Sequence, residues 1–251
     1  MSFYTQFAEY YERIFPFREE AYAFLRDYLP DSGKRVLDLG CGPGHYCGRF
    51  AADGFKARGV DLDGEMIAAA LGTYPEASFH QMDIAQVHTL PRGLDLAVCI
   101  GNVAAHLTQD EFLLTVRKLH GLLQPGAVWI VQVVNWDRIL DGSSYTFPPK
   151  ELGSGRLRFL REYRDITEDS VRFLTRLERG GETLFTGDVQ LFPTRRQRMI
   201  EHHERLGFRL LGHFGDFSRA TFDPATSPGS IYVFEKANDI LQPQGIADLG
   251  K

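Results

Sequence analysis

Short apolar segments alternate with amphipathic segments between residues 35 and 134, and this alternation restricts the fold more than any other feature of the chain. The apolar segments have strand length, and apolar residues recur at helical spacing between them. The predicted strands are residues 35–39, 57–61, 78–82, 94–100 and 128–134, and the predicted helices are residues 45–52, 64–71 and 109–123. Alternation of this kind predicts an α/β fold, a mostly parallel sheet with helices on both faces.

The chain changes character after residue 135. Residues 135–150 are rich in Gly, Ser and Pro, which predicts a loop. Three segments of period two follow and predict a small antiparallel sheet with one solvent-exposed face. In the first segment Leu157, Phe159 and Tyr163 share a face with Arg161, and most other arginines of the sheet fall on the opposite face. The mixed charges of that opposite face favour a solvated surface over a binding surface.

The remaining segments complete a four-part division of the chain. Aromatic residues at helical spacing, interrupted at Pro16 and Pro30, predict helices near the N-terminus. A helix at residues 195–206 precedes two last strands, at residues 208–214 and 230–234. The predicted parts are an N-terminal helical cap (1–30), an α/β domain (31–150 and 193–237), an inserted antiparallel sheet (151–192) and a polar tail (238–251).

Composition limits the classes of partner. The chain has 251 residues, 43% of them hydrophobic, which is enough to form a substantial core. A formal net charge of −5 gives no general attraction to nucleic acid or to an anionic membrane, and no apolar run is long enough to span a bilayer. Three cysteines make neither a disulfide framework nor a paired metal motif, and no secretory signal is visible. We expect a reduced, cytoplasmic protein with no metal site.

The stretch "VLDLGCGPGH" places Gly40, Gly42 and Gly44 between a predicted strand and a predicted helix. A dinucleotide loop has the pattern G-x-G-x-x-G, but His45 stands where the last glycine belongs. A phosphate-binding P-loop requires Lys-Ser or Lys-Thr after its last glycine, and neither is present. The carboxylate of Asp38, just before the glycines, would repel a pyrophosphate and attract a cation. The loop therefore predicts a ligand that carries positive charge and no phosphate.

Two more acids follow neighbouring strands. Asp61 ends the second strand, where a carboxylate accepts the hydroxyls of a ribose, and Asp83 ends the third. Met82 and Ile84 flank Asp83 and can enclose a flat base between them. Because the carboxyl ends of parallel strands meet at one edge of the sheet, the three acids predict a site for a cation, a sugar and an exocyclic amine.

On these residues the chain resembles the class I S-adenosylmethionine-dependent methyltransferases. "VLDLGCGPG" resembles the first motif of that family, "GVDLD" its ribose position and "MDI" its adenine position. The resemblance covers residues 30–135 in detail and implies a Rossmann-like seven-stranded sheet in the order 3-2-1-4-5-7-6, with the last-inserted strand antiparallel.

The resemblance also implies which residues hold the cofactor. Asp38 and the loop from Gly40 through Cys41 and Gly42 to Gly44 would hold its methionine part. Asp61 would bind the ribose, and Leu62, Met66, Met82, Asp83 and Ile84 would surround the adenine. Ile100 and Gly101, at the end of the fourth strand, would lie beside the transferable methyl group.

The segment "CIGNVAAHL" follows the fourth strand, where enzymes of this family hold the acceptor. It lacks the Asn-Pro-Pro-Tyr of enzymes that methylate base amines and the Pro-Cys of RNA cytosine enzymes. It is similar to glycine and sarcosine N-methyltransferases, which predicts a small acceptor. His106 is a candidate base or a histidine that only bonds the backbone, and Asn102 would orient cofactor or acceptor. Tyr11, on the first helix, either faces the cofactor or packs in the core.

The predicted function is transfer of a methyl group from S-adenosylmethionine to nitrogen or oxygen of a small molecule, with S-adenosylhomocysteine as product. The alternatives are a NAD-dependent oxidoreductase, a protein that binds S-adenosylmethionine without turnover, and a protein or RNA methyltransferase. The inserted sheet would cover the substrate or pair two chains as a homodimer. We expect His202 and His203 on a solvated helix face, and Cys99 in a buried strand.

Overall fold

The computed structural model describes residues 8–29, 34–153 and 157–237. These residues form strands in two sheets. The strands of the large sheet are β1 (Arg35–Leu39), β2 (Lys56–Asp61), β3 (Ser78–Gln81), β4 (Leu94–Cys99), β5 (Leu123–Val134), β11 (Phe208–Phe214) and β12 (Gly229–Lys236). Those of the second sheet are β6 (Tyr145–Thr146), β7 (Lys150–Leu152), β8 (Leu157–Arg164), β9 (Val171–Arg179) and β10 (Glu182–Leu191).

The large sheet has the order β11-β12-β5-β4-β1-β2-β3. The pairs from β5 to β3 are parallel, whereas β12 runs antiparallel to both β5 and β11. The seven-stranded order implied by the resemblance is therefore confirmed, and so is the antiparallel direction of the last strand.

Seven α-helices and two 3₁₀-helices connect the strands within the described residues. The α-helices are α1 (Ala8–Ile14), α2 (Glu19–Arg26), α3 (His45–Ala52), α4 (Gly64–Thr73), α5 (Gln109–His120), α6 (Trp136–Leu140) and α7 (Arg196–Arg205), and the 3₁₀-helices are Ile84–Thr89 and Val103–His106. Local sequence sets several starts. Asp63 accepts the N–H groups of Glu65 and Met66 at the start of α4, and Thr108 and Glu111 form a capping box at the start of α5.

The large sheet is buried on both faces. Along β1, Val36 packs into one apolar cluster, and Leu37 and Leu39 pack into another on the opposite face. Along β5, Ile130 joins the first cluster and Trp129 joins the second. Because parallel strands covered on both faces are apolar at successive positions, the continuous apolar runs in the sequence follow directly from this arrangement. Cys99 is buried in β4, as predicted.

The second sheet is antiparallel, in the order β10-β9-β8-β6, with β7 also paired to β8. The predicted alternation is confirmed, because Leu157, Phe159 and Tyr163 are buried while Arg158 and Arg164 are exposed. The number of strands differs from the prediction of three. Two short strands, β6 and β7, add to β8 from a segment predicted to be a loop.

The segment at residues 135–150 also contains α6, so its prediction as a loop was wrong. Asn135 starts this helix by accepting the N–H of Arg138 at 3.3 Å. A five-residue helix and a two-residue strand are too short to give a periodic signal, which is why the Gly, Ser and Pro content dominated the prediction. The helix predicted at residues 109–123 ends at His120, and β5 begins three residues later.

The second sheet contacts the rest of the protein through hydrogen bonds and apolar packing. The N–H of Phe192, just after β10, donates to the carbonyl of Ala105 at 2.7 Å. On the other side, Ile14 of α1 packs in an apolar cluster with Leu157 and Phe159 of β8. The inner face of the second sheet therefore extends from α1 to the 3₁₀-helix that follows β4.

Some predicted features lie outside the described residues. These are the first seven residues of the helical cap, residues 30–33, and the polar tail at residues 238–251. Within the three described ranges, every helix is too short or too polar to cross a bilayer.

Candidate active site

The glycine loop after β1 uses its own backbone donors internally. Gly40, Gly42 and Gly44 all have positive φ, at 77°, 53° and 85°. The four non-proline residues of the loop donate their N–H groups inside the protein: Gly40 and Cys41 to the carbonyl of Val60, Gly42 to the carboxylate of Asp61, and Gly44 to the carbonyl of Cys41. A loop that cradles phosphate needs free N–H groups. Residues 40–44 offer none, which agrees with a ligand that lacks phosphate.

Close neighbours explain why two of these positions are glycine. A methyl group at Gly40 would lie 2.5 Å from Cγ1 of Val103, so the 3₁₀-helix that begins with Val103 rests on the loop. A methyl group at Gly42 would lie 3.2 Å from the hydroxyl of Tyr11. The loop is thus enclosed by the segment after β4 on one side and by α1 on the other.

Asp38, on β1, is 2% exposed, and its Oδ1 has no hydrogen-bond partner among the described residues. Burial, reinforced by the nearby charge of Asp61, raises the pKa of the Asp38 carboxyl to about 7. An isolated buried carboxylate is costly, and an ammonium or other cation beside it removes that cost. The Asp38 carboxylate therefore has an unused acceptor atom that a cationic group could pair with.

Asp61 ends β2 and organises the loop. Its Oδ2 accepts the N–H of Gly42 at 2.8 Å, and its Oδ1 accepts the N–H of Asp63 at 2.9 Å. Burial raises the pKa of this carboxyl above its ordinary value, although the backbone N–H groups of Asp63, Gly42 and Leu62 oppose the shift. Because a carboxylate has about four lone-pair sites, Asp61 retains acceptor capacity for two sugar hydroxyls.

The residues predicted to surround a base lie at the ends of β2 and β3, with different exposure. Leu62 is 70% exposed and Met66 is buried, while Met82, Asp83 and Ile84 are half-buried. Asp83 accepts the N–H of Ala85 at 2.8 Å and so starts the 3₁₀-helix Ile84–Thr89.

The end of β4 is tied to β5 by Asn102. Its φ is 67°, its N–H donates to the carbonyl of Gln132 at 3.2 Å, and its Oδ1 accepts the N–H of Val134 at 3.1 Å. Gly101 donates its N–H to the side chain of Gln132 at 2.6 Å, and Ile100 is half-buried beside it. Asn102 thereby fixes the backbone that leads to His106.

His106 ends the 3₁₀-helix that rests on the glycine loop, and its side chain is half-buried. Burial lowers the pKa of its imidazole to about 4. The ring is therefore neutral near pH 7, which is the form that accepts a proton or a hydrogen bond.

Tyr11 reaches the site from α1. Burial, followed by the charges of Asp61 and Asp38, raises the pKa of the Tyr11 phenol well above its ordinary value, so the hydroxyl keeps its proton. Tyr11 also packs against Phe15, with ring centroids 5.3 Å apart. Tyr11 therefore lies against the glycine loop and also packs in an aromatic cluster, and its facing the cofactor stays a prediction.

The N–H of Cys41 donates to the carbonyl of Val60, while its side chain packs against Gly59 in the core and its Sγ lies 3.6 Å from the carbonyl oxygen of Gly42. His203 corrects a prediction. It is fully buried, stacks on Phe234, and binds Trp129 and the carbonyl of Met199 at 3.0 and 2.7 Å. The periodicity of α7 places it on the core face, so its role is structural. Within residues 8–29, 34–153 and 157–237, no three His, Cys, Asp or Glu side chains group as metal ligands.

Sequence reasoning missed three residues that shape the site: Val103, Gln132 and Asp63. Val103 covers Gly40, Gln132 holds the backbone at Gly101, and Asp63 starts α4. For Asp63 a local signal was available, because an aspartate directly before a helical segment is a typical N-cap residue. Nothing in the local sequence indicates the other two contacts, because each depends on how two strands pair.

Comparison with known proteins agrees with this geometry. Residues 36–126 match the family model described as "Methyltransferase domain". The chain is 30% identical over 127 residues to dTDP-4-amino-2,3,4,6-tetradeoxy-D-glucose N,N-dimethyltransferase of Saccharopolyspora spinosa, covering 49% of each chain. It is also 30% identical over 136 residues to glycine N-methyltransferase of Mus musculus, covering 47% of this chain and 46% of the relative. The match spans about half the length of these curated relatives.

A solved structure extends the similarity across the fold. The CcbJ methyltransferase from Streptomyces caelestis superposes with a TM-score of 0.81 and 19% identity, covering 95% of this chain and 99% of that one. At this identity the likeness concerns the fold, and it includes the second sheet because nearly the whole chain is covered.

Proposed function

We propose that the chain transfers a methyl group from S-adenosylmethionine to a small molecule, because residues 36–126 match the methyltransferase domain model and the chain has the fold of a solved methyltransferase. The acceptor atom in this proposal is nitrogen or oxygen. Two relatives that match the chain over about half their length are named as N-methyltransferases, one of an amino sugar nucleotide and one of glycine. These names favour nitrogen over oxygen as the acceptor atom.

Asp38 carries the proposal. It is a buried carboxylate with an unpartnered oxygen, beside a loop whose N–H groups are all used internally. The Asp38 carboxylate would repel a pyrophosphate, and residues 40–44 have no free N–H to bind it. The ammonium group of an amino acid, in contrast, would pair with that carboxylate. This combination favours S-adenosylmethionine over a dinucleotide.

The other predicted residues fit the rest of that cofactor. In this proposal the loop from Gly40 to Gly44 holds the methionine part, Asp61 accepts the ribose hydroxyls, and Ile100 and Gly101 lie along the sulfur end. The adenine residues are Leu62, Met66, Met82, Asp83 and Ile84, with Asp83 accepting from the exocyclic amine. The exposed side chain of Leu62 would be covered by the base, which gains apolar burial.

When bound, the cofactor supplies an electrophilic methyl group on a good leaving group. The protein therefore contributes mainly alignment, exclusion of water and handling of one proton. Tyr11 closes the site over Gly42. Asn102 fixes the end of β4, and neutral His106 accepts the proton of the acceptor or holds it by a hydrogen bond.

The proposed acceptor is small rather than a macromolecule. The net charge of −5 supplies no general attraction to nucleic acid, and the second sheet packs against α1 and against the 3₁₀-helix of His106. In the proposal the chain acts in the cytoplasm, and the second sheet covers the acceptor. Pairing of two chains through that sheet remains the alternative use of the same surface.

Transfer of a labelled methyl group tests the proposal. The chain is incubated with methyl-labelled S-adenosylmethionine and a low-molecular-mass metabolite extract, and labelled products are separated from cofactor. We expect label in a small product, accompanied by S-adenosylhomocysteine. The Asp38→Asn variant should lose both, while Asp110→Asn, which alters an exposed acid on α5, should keep both.

Two results would contradict it. Tight binding of S-adenosylmethionine with no transfer to any extract would favour a protein that binds the cofactor without turnover. Reduction or oxidation of NAD in the same extract, without binding of S-adenosylmethionine, would favour an oxidoreductase.

A further inference from the structure

The inner face of the second sheet is mainly apolar and carries the half-buried cation Arg161. Arg161 lies on β8 on the same face as Phe159 and Tyr163, and its guanidinium stands 4.7 Å from the ring centroid of Phe147 and 5.8 Å from that of Phe159. Its Nη2 donates to the carbonyl of Pro148 at 3.4 Å, and its buried Nε has no acceptor among the described residues. A buried guanidinium N–H without an acceptor is costly and rare.

Thr175 provides a second unused polar atom at the same place. It pairs directly with Arg161 across β8 and β9, so the two side chains share the inner face. Thr175 is 4% exposed, and its Oγ1 has no hydrogen-bond partner among the described residues. Two unsatisfied buried groups on adjacent strands indicate a site that a polar ligand completes.

Lys150 adds a second positive charge. It pairs with Phe159 across β7 and β8, again on the inner face, and its Nζ donates to the carbonyl of Ile14 at 2.9 Å and lies 4.9 Å from the ring of Phe15. Burial, followed by the charges of Arg161 and Arg18, lowers the pKa of the Lys150 ammonium to about 8. Two like charges are thus held together in a half-buried place.

Carboxylate partners distinguish this face from the outer face. On the outer face Arg158 pairs with Glu151, Arg164 pairs with Glu162 and Arg172 pairs with Asp188. In the described part of the chain, neither Lys150 nor Arg161 has a carboxylate within 4.0 Å. The protein neutralises its outer arginines and leaves these two inner cations without a counter-charge.

The pair lies close to the proposed transfer site. The ring of Phe159 is 5.9 Å from that of Phe15, which is 5.3 Å from that of Tyr11, and the hydroxyl of Tyr11 lies over Gly42. The rings of Phe159, Phe15 and Tyr11 therefore form a continuous aromatic path between Arg161 and the glycine loop. An acceptor that follows this path has its anionic end at Arg161 and its other end at the loop.

We propose that Lys150, Arg161 and Thr175 form a binding site for an anionic oxygen group of the methyl acceptor, a carboxylate or a phosphate. The guanidinium Nε, the ammonium and the hydroxyl each donate to the group, and the flanking aromatic rings contact the apolar part of the acceptor. This site would select acceptors that carry an anionic group. The inference therefore rests on the proposed function.

Calorimetric titration with simple anions tests the site without turnover. Inorganic phosphate and acetate are titrated separately into the full chain at constant ionic strength. We expect one site for at least one anion, and the better anion indicates phosphate or carboxylate. Arg161→Met should weaken this binding at least tenfold, and Lys150→Met and Thr175→Val should also weaken it. Arg164→Met, on the same strand but the outer face, should bind as the wild type does.

Titration of the same variants with S-adenosylmethionine separates this proposal from the proposed function. Arg161→Met should bind the cofactor as the wild type does, since the residue lies outside the cofactor edge. Absence of cofactor binding by the wild type would defeat the proposed function. Normal cofactor binding, with no anion binding or with equal anion affinity in Arg161→Met, would defeat the anion site alone. If Arg161→Met does not fold, the Lys150→Met and Thr175→Val titrations decide by the same criterion.

The charge of the methylated product gives a further check. Label transferred from methyl-labelled S-adenosylmethionine to a metabolite extract is passed over an anion-exchange resin near neutral pH. We expect the labelled product to be retained and to elute with salt. A labelled product found only in the flow-through would overturn the assignment.

Discussion

The carboxyl edge of the large sheet and the inner face of the second sheet carry side chains of opposite charge on different kinds of backbone. The first uses backbone turns and buried acids, with Asp38 and Asp61 around a loop whose donors are already satisfied. The second uses side chains on regular strands, with Arg161 and Lys150 among aromatic rings. One region is prepared for a cation and the other for an anion, so the charge each one accepts distinguishes the two ends of the reaction.

The two regions also respond to pH in opposite directions. At the first, Asp38 must lose a proton with a pKa of about 7 before it attracts a cation, so binding improves as pH rises. At the second, Lys150 loses its charge as pH rises through its pKa of about 8, so anion binding weakens. The comparison predicts a narrow pH range in which both ends of the site are charged correctly.

The largest expected effect is at Asp38. Asp38→Asn should weaken S-adenosylmethionine binding about 100-fold, equal to roughly 2.8 kcal/mol, because the ammonium loses its charged acceptor. The same variant should be more stable than the wild type without ligand. The folded-state pKa of Asp38 is raised, so its ionisation destabilises the free protein increasingly as pH rises from about 4 to about 7.

Calorimetry and thermal unfolding at about pH 8 measure these two opposite effects, at a pH where the Asp38 carboxyl is ionised. Asp110→Asn serves as the control, since it removes an exposed acid. A variant that loses stability along with cofactor affinity would show that Asp38 supports the fold rather than the ligand.

The next effect is at the glycine loop. Gly40→Ala should destabilise the protein by about 2–4 kcal/mol, from left-handed strain and from the clash with Val103. Gly54→Ala is the matched control, because Gly54 has φ of 86° but nothing within 4 Å of the added methyl. Denaturant unfolding measures the loss of stability in both variants, and the difference between the two losses reports the clash with Val103. Adding Val103→Ala to Gly40→Ala should recover part of the loss, and no recovery would mean that the 3₁₀-helix does not rest on the loop.

His106 gives a kinetic prediction. His106→Gln should lower kcat at least tenfold and leave S-adenosylmethionine affinity unchanged, because a neutral imidazole accepts a proton and an amide does not. The wild-type kcat should show no inflection from His106 above about pH 6, since burial lowers its pKa to about 4. His88→Gln, an exposed histidine on the neighbouring 3₁₀-helix, is the control. Equal kcat values for His106→Gln and wild type would remove the proposed role.

The smallest effect is at Lys150. Wild-type affinity for the better of phosphate and acetate should fall severalfold as pH rises from about 7 to about 9, as the ammonium with a pKa of about 8 loses its proton. Lys150→Met should bind more weakly and show a flatter dependence over that range. Arg161 and Arg18, the other cations that act on Lys150, keep their charge there. Equal slopes in the two proteins would exclude Lys150 from the site.

The comparison of the two regions also explains what the sequence revealed. The proposed cofactor edge depends on local sequence, a strand, a turn and an acid within a few residues, so "VLDLGCGPG" and "GVDLD" predicted its fold, while the cofactor contacts of its residues stay a prediction. The inner face of the second sheet depends on cross-strand register. Arg161 was visible as one arginine on an apolar face, but its pairing with Thr175 and its distance from any carboxylate follow from how β7, β8 and β9 align.

Short elements and contacts between strands could not be predicted from the sequence for a similar reason. The strand Tyr145–Thr146 is two residues long, and α6 begins in a segment whose Gly, Ser and Pro content predicts a loop. The burial of His203 follows from the packing of α7 on β12, where Phe234 stacks on its ring. In each case the tertiary partner, and not the local pattern, decides the outcome.

The central claim is that the edge around Asp38 and the glycine loop accepts a cationic nucleoside without phosphate. Calorimetric titration of the chain with S-adenosylmethionine and with NAD, in two buffers of different ionisation enthalpy near pH 7, tests it most directly. The account predicts one S-adenosylmethionine site, with protons released as Asp38 ionises and no release in Asp38→Asn, and no competition by NAD. Binding of NAD that displaces S-adenosylmethionine, or equal S-adenosylmethionine affinity in Asp38→Asn, would contradict it.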